Sequence, residues 1–200
     1  NGDPLWYMDE EDENHNPTGK RVTTNDYGSA DYYYVNKSSL PKVYGGFNTS
    51  LSWKGFDLSA IFAYSIGGYI YNRDITMILH NGSLEGRDWS TEILKRWTPD
   101  NRNTDVPALS TTTNNWNSAS TRFLQNNSYM RLKNLTLSYN LPKQWISKLS
   151  LSSVQVYVQG DNLFTIHRNQ GLDPEQGITG ITYYRYPAMR TISGGINVSF

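Results

Sequence analysis

Asp173 and Glu175 come nearer to catalytic chemistry, by type and spacing, than any other residues of this chain. A pair of carboxyl groups is the inventory that a glycosidase needs to cleave a sugar linkage. No other acid–base signature accompanies the pair, although an active site needs groups that position and complement its acid and base. Glycan hydrolysis is therefore the third functional hypothesis, behind the two developed below.

Metal binding has one candidate, the acidic run Asp9-Glu10-Glu11-Asp12-Glu13. Carboxylates are calcium ligands, but their spacing here matches no EF-hand loop, and a solvated loop tip is the simpler interpretation. His15, His80 and His167 lie far apart and show no metal spacing. The chain has no cysteine, which excludes disulfides, zinc–thiolate cages and thiol nucleophiles. We predict no metal site and no cofactor.

Aromatic side chains supply the remaining candidate site. Tyr, Trp and Phe make up 14% of the chain, and their flat faces suit the apolar patches of sugar rings. Substrate contact, packing within the loops and contact with a partner protein all explain such residues. The candidates for substrate binding are Trp89, Trp97, Trp116, Tyr183, Tyr184 and Tyr186.

Composition narrows the class of protein. Lys plus Arg and Asp plus Glu both number 18, so the formal net charge is zero. This argues against a nucleic-acid partner, which needs a basic surface for counterion release. Charged residues reach only 18%, against about a quarter in soluble domains. No apolar run approaches the roughly 20 residues of a membrane helix, but strands of a membrane barrel need no such run.

The elements that must position these residues are strands. The end of the chain alternates without a break, with Ile192, Gly194, Ile196, Val198 and Phe200 on one side and polar or small residues on the other. Alternation with period two is typical of a strand with one apolar face, and it recurs upstream. The pattern predicts strands at about residues 43–53, 56–66, 129–141, 152–164 and 189–200.

Residues 1–42 form the first of three excursions from the strands and are predicted to be a loop region. Within it, residues 5–8 and 32–35 have the propensity for short strands. Pro17-Thr18-Gly19 is a turn signal.

Residues 69–128 and 165–188 form the other two excursions. In the former, helices are predicted at residues 72–79 and 90–97, the second capped by Ser90. Trp89, Ile93 and Trp97 then form a stripe at four-residue spacing. That stripe either faces a ligand or packs the helix onto its own loop.

Strands with one apolar face fit a soluble β-sandwich or part of a transmembrane barrel. The barrel is favoured because the polar faces carry Ser, Thr, Asn and Gln rather than Lys and Glu. Short connections also alternate with long ones, as in outer-membrane barrels. Trp53, Phe56, Tyr139 and Phe200 lie near the short turns, where an aromatic girdle is expected. The predicted fold is all-β: an antiparallel up-and-down meander, the C-terminal strands of a transmembrane barrel, with short helices in long extracellular loops.

The barrel hypothesis assigns a side to each face. The side chains expected to face lipid are Phe47, Leu51, Leu58, Phe62, Leu135, Leu137, Val156, Ile196 and Val198. Those expected to line the lumen or touch a plug are Asn48, Asn134, Gln155, Gln159 and Asn197. If the short turns are periplasmic, the three excursions are extracellular and Phe200 lies at the periplasmic rim.

A series of short motifs carries a family resemblance over nearly the whole chain. They are S-L-P-K-V-Y-G-G-F at 39–47, K-G-F-D-L at 54–58, R-W-T-P-D-N at 96–101, Y-M-R-L-K-N-L-T-L at 129–137, L-P at 141–142, G-D-N-L-F at 160–164, G-L-D-P-E at 171–175 and Y-P at 186–187. In this order and spacing the sequence resembles the C-terminal portion of a SusC/RagA-type TonB-dependent outer-membrane transporter of Bacteroidetes. Phe200 is similar to the terminal aromatic that serves as an assembly signal in such barrels.

The resemblance implies a barrel of about 22 strands with an N-terminal plug, an integral outer-membrane location and a SusD-like surface lipoprotein as partner. It implies import of glycans or peptides, driven through TonB. We expect this chain to lack the plug and the segment that contacts TonB, and so to be unable to transport alone. The alternative from another class is a secreted carbohydrate-binding β-sandwich, which would bury the apolar faces against a second sheet.

Overall fold

The computed structural model describes residues 1–81, 85–110, 115–171, 173–175, 177–182 and 184–200. The chain divides into two compact units. The first contains Asn1–Asn36 and Asn72–Leu124, and the second contains Lys37–Tyr71 and Gln125–Phe200. The units interleave along the chain, a division that the sequence pattern did not predict.

Strands account for most of the regular structure. They are β1 (Trp6–Glu11), β2 (Pro17–Thr24), β3 (Val43–Trp53), β4 (Phe56–Ile66), β5 (Tyr69–Tyr71), β6 (Leu124–Asn126), β7 (Tyr129–Asn140), β8 (Ser153–His167) and β9 (Thr191–Ser199). The α-helices are α1 (Arg73–Ile78) and α2 (Lys143–Ile146), and 3-10 helices cover Tyr27–Ser29, Thr91–Lys95, Thr121–Phe123 and Ser147–Leu149. Within the described ranges, every helix is too short or too polar to span a membrane.

The second unit is built on an antiparallel sheet of five strands in the order β3-β4-β7-β8-β9. Neighbours in the sheet are also neighbours among these strands in sequence, so the topology is an up-and-down meander. β3 and β4 have the bounds predicted, β7 ends one residue earlier, β8 continues to His167, and β9 covers Thr191–Ser199. Of the strands described, β3 and β9 lie at the two edges of this sheet.

The register gives this sheet two chemically distinct faces. One row of directly paired residues runs Leu51, Leu58, Leu137, Val158, Gly194, and the next runs Ser50, Ser59, Thr136, Gln159, Ser193. Paired residues share a face, so apolar rows alternate with polar rows across all five strands. Leu51 is 67% exposed and Ile196 65%. Since a sandwich buries such a face about 10 Å from a second sheet, the β-sandwich alternative does not fit this structure.

A β-bulge interrupts the alternation at Lys133. Ile61 pairs with Asn134 and Phe62 with Leu132, which leaves Lys133 as the extra residue of β7. Bulges re-aim side chains, and this one brings the Lys133 ammonium to the same carboxylate that Arg131 contacts.

The first unit begins with a hairpin, whose first strand, β1, overlaps the strand propensity noted at residues 5–8. β1 and β2 pair antiparallel, and the turn lies at residues 12–16 rather than at Pro17-Thr18-Gly19. The Asp12 carboxylate accepts hydrogen bonds from the amides of Asn14 (2.8 Å) and Asn16 (3.0 Å) and so closes the turn. These amides also lower the pKa of Asp12. Pro17 then opens β2, a position in a strand that needs no donor.

The strand propensity at residues 32–35 does not produce a strand. Residue propensity alone does not provide a neighbouring strand with which the segment could pair. Just before this segment, the Asp31 amide donates a hydrogen bond to the Tyr7 carbonyl at 3.0 Å. The helix predicted at residues 72–79 is confirmed as α1, with the Asn72 side chain accepting a bond from the Ile75 amide at 3.0 Å.

The second predicted helix, at residues 90–97, is a shorter 3-10 helix, Thr91–Lys95. Ser90 caps it as expected, its hydroxyl accepting from the Glu92 amide at 3.3 Å. Its far end is closed by loop side chains: Asn101 donates to the Lys95 carbonyl (3.0 Å), and Thr104 does so at 2.6 Å. These bonds take the place of further helical turns, so the stripe of Trp89, Ile93 and Trp97 does not form along one helix.

Candidate functional site

The polar face of the five-stranded sheet carries a lattice of side-chain hydrogen bonds between strands. Asn134 Nδ2 donates to Asp161 at 2.7 Å, and Gln155 Nε2 donates to Ser138 at 3.2 Å. Asn197 Nδ2 in turn donates to Gln155 Oε1 at 3.2 Å. The expected lumen residues, Asn48, Asn134, Gln155, Gln159 and Asn197, all lie on this face.

A second bond network on the same face lies beside the Lys54-Gly55 turn. Asp57 accepts from the Ser52 hydroxyl and from Asn140 Nδ2, the latter at 2.7 Å. A hydroxyl of β3 and an amide of β7 thus both donate to one carboxylate of β4. Such a face presents polar groups whose hydrogen bonds are largely made within the sheet.

A charged latch, defined here as Arg131, Lys133, Asp173 and Glu175, ties the loop after β8 to β7. The Arg131 guanidinium donates to Asp173 at 2.5 Å, to Glu175 at 2.8 Å and to the Thr165 hydroxyl at 2.8 Å. Arg131 is only 3% exposed. The planar guanidinium thus donates to two different carboxylates at once, which its several fixed N–H groups allow at a buried site.

The loop side of the latch is organised around Asp173. Its carboxylate also accepts from the amides of Glu175 (2.9 Å) and Ala188 (2.6 Å). Burial opposes ionisation of Asp173, but the Ala188 amide, the Arg131 guanidinium and the Glu175 amide outweigh it and hold the pKa below its usual range. Lys133 Nζ binds Glu175 at 2.5 and 2.6 Å, so two positive and two negative groups balance.

This geometry is unsuited to glycoside hydrolysis. A glycosidase acid needs a raised pKa in order to hold its proton, whereas the pKa of Asp173 is lowered. Glu175 is engaged by Arg131 and Lys133 together. The carboxylates that suggested catalysis are structural members of the latch.

The opposite face of the sheet is apolar and exposed. It carries all of the side chains expected to face lipid: Phe47, Leu51, Leu58, Phe62, Leu135, Leu137, Val156, Ile196 and Val198. The rings of Phe47 and Phe62 stack at 4.7 Å between centroids. A contiguous apolar face of this extent marks an interaction surface.

Aromatic residues collect at the end of the sheet where the connections are short. Trp53 pairs with Phe56 in the register, and the rings of Phe56 and Tyr139 lie 4.5 Å apart. The Lys54 ammonium lies 4.8 Å from the centre of the Trp53 ring. Phe200 is exposed just beyond the end of β9 at the same end of the sheet.

The first unit holds an aromatic cavity of about 600 Å³. Trp116 lines it and is the one tryptophan among Trp89, Trp97 and Trp116 to do so. The other residues lining it belong to Pro4–Tyr7, Tyr27 and Ala30–Val35, together with Arg21, Asp105, Pro107 and Ala119–Arg122. The sequence pattern missed this grouping, because the tyrosines at 32–34 were assigned to a strand.

The other two tryptophan candidates, Trp89 and Trp97, pack locally. The Trp89 ring contacts His80 edge-on at 5.5 Å, and burial lowers the pKa of that histidine. The Trp97 ring lies against the backbone of Gly2, where a Cβ would come within 2.5 Å of the ring. Neither of these two rings is among the residues that line the cavity with Trp116.

The tyrosine candidates belong to the second unit. Tyr184 and Tyr186 are exposed, while Tyr183 lies outside the described residues. Their role in substrate binding stays a prediction.

No family model matches the chain. TonB-dependent receptor P3 of Formosa agariphila is 35% identical over 166 residues, which cover 78% of this chain and 16% of that protein. TonB-dependent receptor SusC of Bacteroides thetaiotaomicron is 27% identical over 198 residues, which cover 97% of this chain and 19% of that protein.

A solved structure of the RagAB peptide transporter matches with a TM-score of 0.81 and 34% identity. The match covers 100% of this chain and 21% of that one. The chain therefore spans about a fifth or less of the length of these relatives.

Proposed function

The chain belongs to the SusC/RagA-type TonB-dependent receptors, and we propose that it forms the C-terminal barrel strands and surface loops of an outer-membrane nutrient importer. The observation that carries this proposal is the two-faced sheet. Its apolar side chains are exposed on one face, while its amides, hydroxyls and carboxylates bind one another on the other. Strands of membrane barrels need this combination, since lipid lies outside and polar contents lie inside.

The imported nutrient is a glycan or a peptide, and the importer works with a SusD-like surface lipoprotein. Support comes from the relatives, among which are a SusC receptor and the RagAB peptide transporter. TonB would act through a plug segment outside this chain. The latch argues against a catalytic role, because both of its carboxylates are bound to cations.

The first test is recovery of the protein, expressed with its native flanking sequence, after fractionation of cells. Recovery in the outer-membrane fraction that detergent alone releases is expected. Recovery as a soluble protein without detergent would show that the apolar face is covered by something other than lipid.

A sharper test compares two neighbouring residues of β4. Leu58→Cys and Ser59→Cys place a spin label on opposite faces, and this chain contributes no native cysteine to the background. We expect the label at residue 58 to be more accessible to oxygen, which dissolves in lipid, and the label at residue 59 to a water-soluble nickel chelate. Equal accessibility at both positions would contradict the two-face assignment.

Orientation is tested on intact cells with a membrane-impermeant maleimide. Asn14→Cys lies in the turn of the β1–β2 hairpin, and Lys54→Cys lies in the short turn between β3 and β4. Labelling of the first on intact cells, and of the second only after permeabilisation, is expected. The reverse pattern would invert the proposed topology.

A further inference from the structure

The aromatic cavity of the first unit has a rigid frame. The Tyr27 hydroxyl donates to the Ala119 carbonyl at 3.0 Å, and the Tyr27 ring meets Trp6 edge-on at 5.3 Å. The Tyr33 hydroxyl donates to Asp9 at 2.8 Å, and the Arg21 guanidinium lies 3.9 Å from the centre of the Tyr33 ring. A frame held by contacts of this kind is formed before any ligand arrives, as ligand sites usually are.

Two hydrogen-bond donors in this cavity are unused. Trp116 is 3% exposed, and its indole N–H has no hydrogen-bond partner among the described residues. Arg122 lies half-buried on the same cavity. In the described part of the chain its guanidinium makes no hydrogen bond or ion pair, and it lies 5.6 Å from the Phe123 ring. Burying an unsatisfied donor costs about 1–3 kcal/mol, which a ligand with acceptor oxygens would recover.

Acceptors and flat apolar surfaces are present beside these donors. Asp105 lines the cavity and is exposed, and within the described residues its carboxylate has no bonded partner. Tyr32 and Tyr34 also line it and are 94% and 92% exposed. Since exposed rings contribute little to folding, these two tyrosines are available to a ligand.

The charge of the cavity limits the class of ligand. Two arginines and two aspartates line it, Arg21, Arg122, Asp31 and Asp105, so its formal charge balances. A neutral ligand that both donates and accepts hydrogen bonds and has flat apolar patches fits this set. Sugar hydroxyls donate and accept, and the faces of sugar rings suit tyrosine and tryptophan. A peptide offers the same hydrogen-bonding groups, but it presents flat apolar faces to these rings only where it carries aromatic residues or proline.

We propose that the aromatic cavity of the first unit binds a neutral oligosaccharide, with Trp116 and Arg122 donating to its hydroxyls, Asp105 accepting from them, and Tyr32 and Tyr34 stacking on its rings. This inference rests on the proposed importer function, and it assigns that importer a sugar-capture site in its surface loops.

The test measures binding by calorimetry on the detergent-purified protein with its native flanking sequence. The probes are maltohexaose, cellohexaose, laminarihexaose, xylohexaose and mannohexaose, with hexagalacturonate and an alanine–glycine hexapeptide as contrasting ligands. Saturable binding of at least one neutral hexasaccharide is expected. Binding of none of them, or tighter binding of the uronate or the peptide than of every neutral sugar, would overturn the proposal.

Variants locate the bound sugar in the cavity. Trp116→Phe keeps a ring and removes the N–H, and should weaken binding about threefold to tenfold. The double change Tyr32→Ala with Tyr34→Ala removes only exposed rings and should weaken binding about tenfold or more. It keeps the proposal testable even if Trp116→Phe misfolds.

The matched control is Trp145→Phe, an exposed tryptophan of α2 in the second unit, which should bind as the unaltered protein does. Unchanged affinity in the double tyrosine variant would overturn the proposed site.

Failure of this inference is distinguishable from failure of the importer proposal. Outer-membrane recovery with the expected labelling, but without sugar binding at the cavity, would overturn the cavity proposal alone. Sugar binding by a protein recovered as soluble would overturn the importer proposal and leave the cavity as the site of a binding module.

Discussion

Two arginines, one in each unit, show how differently this chain uses the same side chain. Arg131 in β7 is buried, and its guanidinium donates to Thr165, Glu175 and Asp173. Arg122 in the first unit is half-buried beside a cavity and donates to no described residue. Both are cations withdrawn from water, but only one has its charge matched by direct ion pairs.

The difference separates a structural role from a binding role. A guanidinium whose donors are all directed at loop and strand partners holds those elements together. One left with free donors beside an empty space is available to a ligand. The two aspartates differ in the same way. Asp173 accepts from Arg131 and from two backbone amides, whereas Asp105 is exposed at the cavity.

The largest expected effect is that of Arg131→Met, which leaves two carboxylates without their buried partner. Breaking a buried pair costs about 3–5 kcal/mol, so the free energy of unfolding in detergent should fall by about that amount. Urea titration followed by tryptophan fluorescence measures it. The matched change, Arg122→Met, should alter stability by less than about 1 kcal/mol and should weaken sugar binding instead. Equal destabilisation by both variants would contradict the assignment of a structural role to Arg131 and a binding role to Arg122.

The next effect is a dependence of stability on acid. The pKa of Asp173 is lowered in the folded protein from its ordinary value of 3.8, so the unfolded chain binds the proton more readily. The stabilisation is therefore complete above pH 3.8 and is lost as the pH falls from there through the folded pKa. Asp173→Asn should cost about 1–3 kcal/mol at neutral pH and flatten this part of the profile. Unfolding titrations at several pH values measure both, and an unchanged slope in the variant would assign the acid sensitivity to other carboxyls.

A smaller effect is expected at the outer side of the latch. Lys133 and Glu175 are each about a third exposed, and exposed ion pairs contribute only about 0–1 kcal/mol. Lys133→Gln should therefore cost less than Arg131→Met by several-fold, and more of that small cost should disappear in high salt. A cost as large as that of Arg131→Met would mean that the bulge places Lys133 in a less hydrated setting.

The smallest effect concerns the frame of the cavity. Loss of hydration and the hydrogen bond to Asp9 raise the pKa of Tyr33 to about 12. In carbon NMR spectra of protein labelled at a tyrosine ring carbon, the Tyr33 signal should shift at a higher pH than the signals of tyrosines with an ordinary pKa. Asp9→Asn should bring its pKa down while leaving the latch unaffected. A Tyr33 that titrates with the others would show that this wall of the cavity is open to water.

The local pattern of apolar and polar residues was sufficient to predict the five-stranded sheet. Alternation of apolar and polar residues predicted β3 and β4 at their observed bounds and assigned their side chains to the faces that the register confirms. The cap at Ser90 also followed from residue type. These features depend on neighbours in sequence, where a period of two or a capping side chain acts directly.

Features that depend on individual side-chain hydrogen bonds within loops were missed. Pro17-Thr18-Gly19 was interpreted as a turn, but the turn of the first hairpin lies at residues 12–16. The Asp12 carboxylate closes it there by accepting hydrogen bonds from two later amides. The helix at residues 90–97 was shortened by Asn101 and Thr104. Neither set of hydrogen bonds depends on a periodic pattern in the sequence, so alternation and helical spacing could not reveal it.

The sequence by itself determined that this protein is a sheet with one apolar and one polar face, since alternation along a strand is a local property. Only the tertiary structure decided what the chemically suggestive residues do. Asp173 and Glu175 became members of a latch because the fold brings them to Arg131, more than 40 residues away in the chain. Trp116 became part of a cavity that residues between Pro4 and Val35 also line, whereas the Trp89 ring packs on His80 and the Trp97 ring on Gly2.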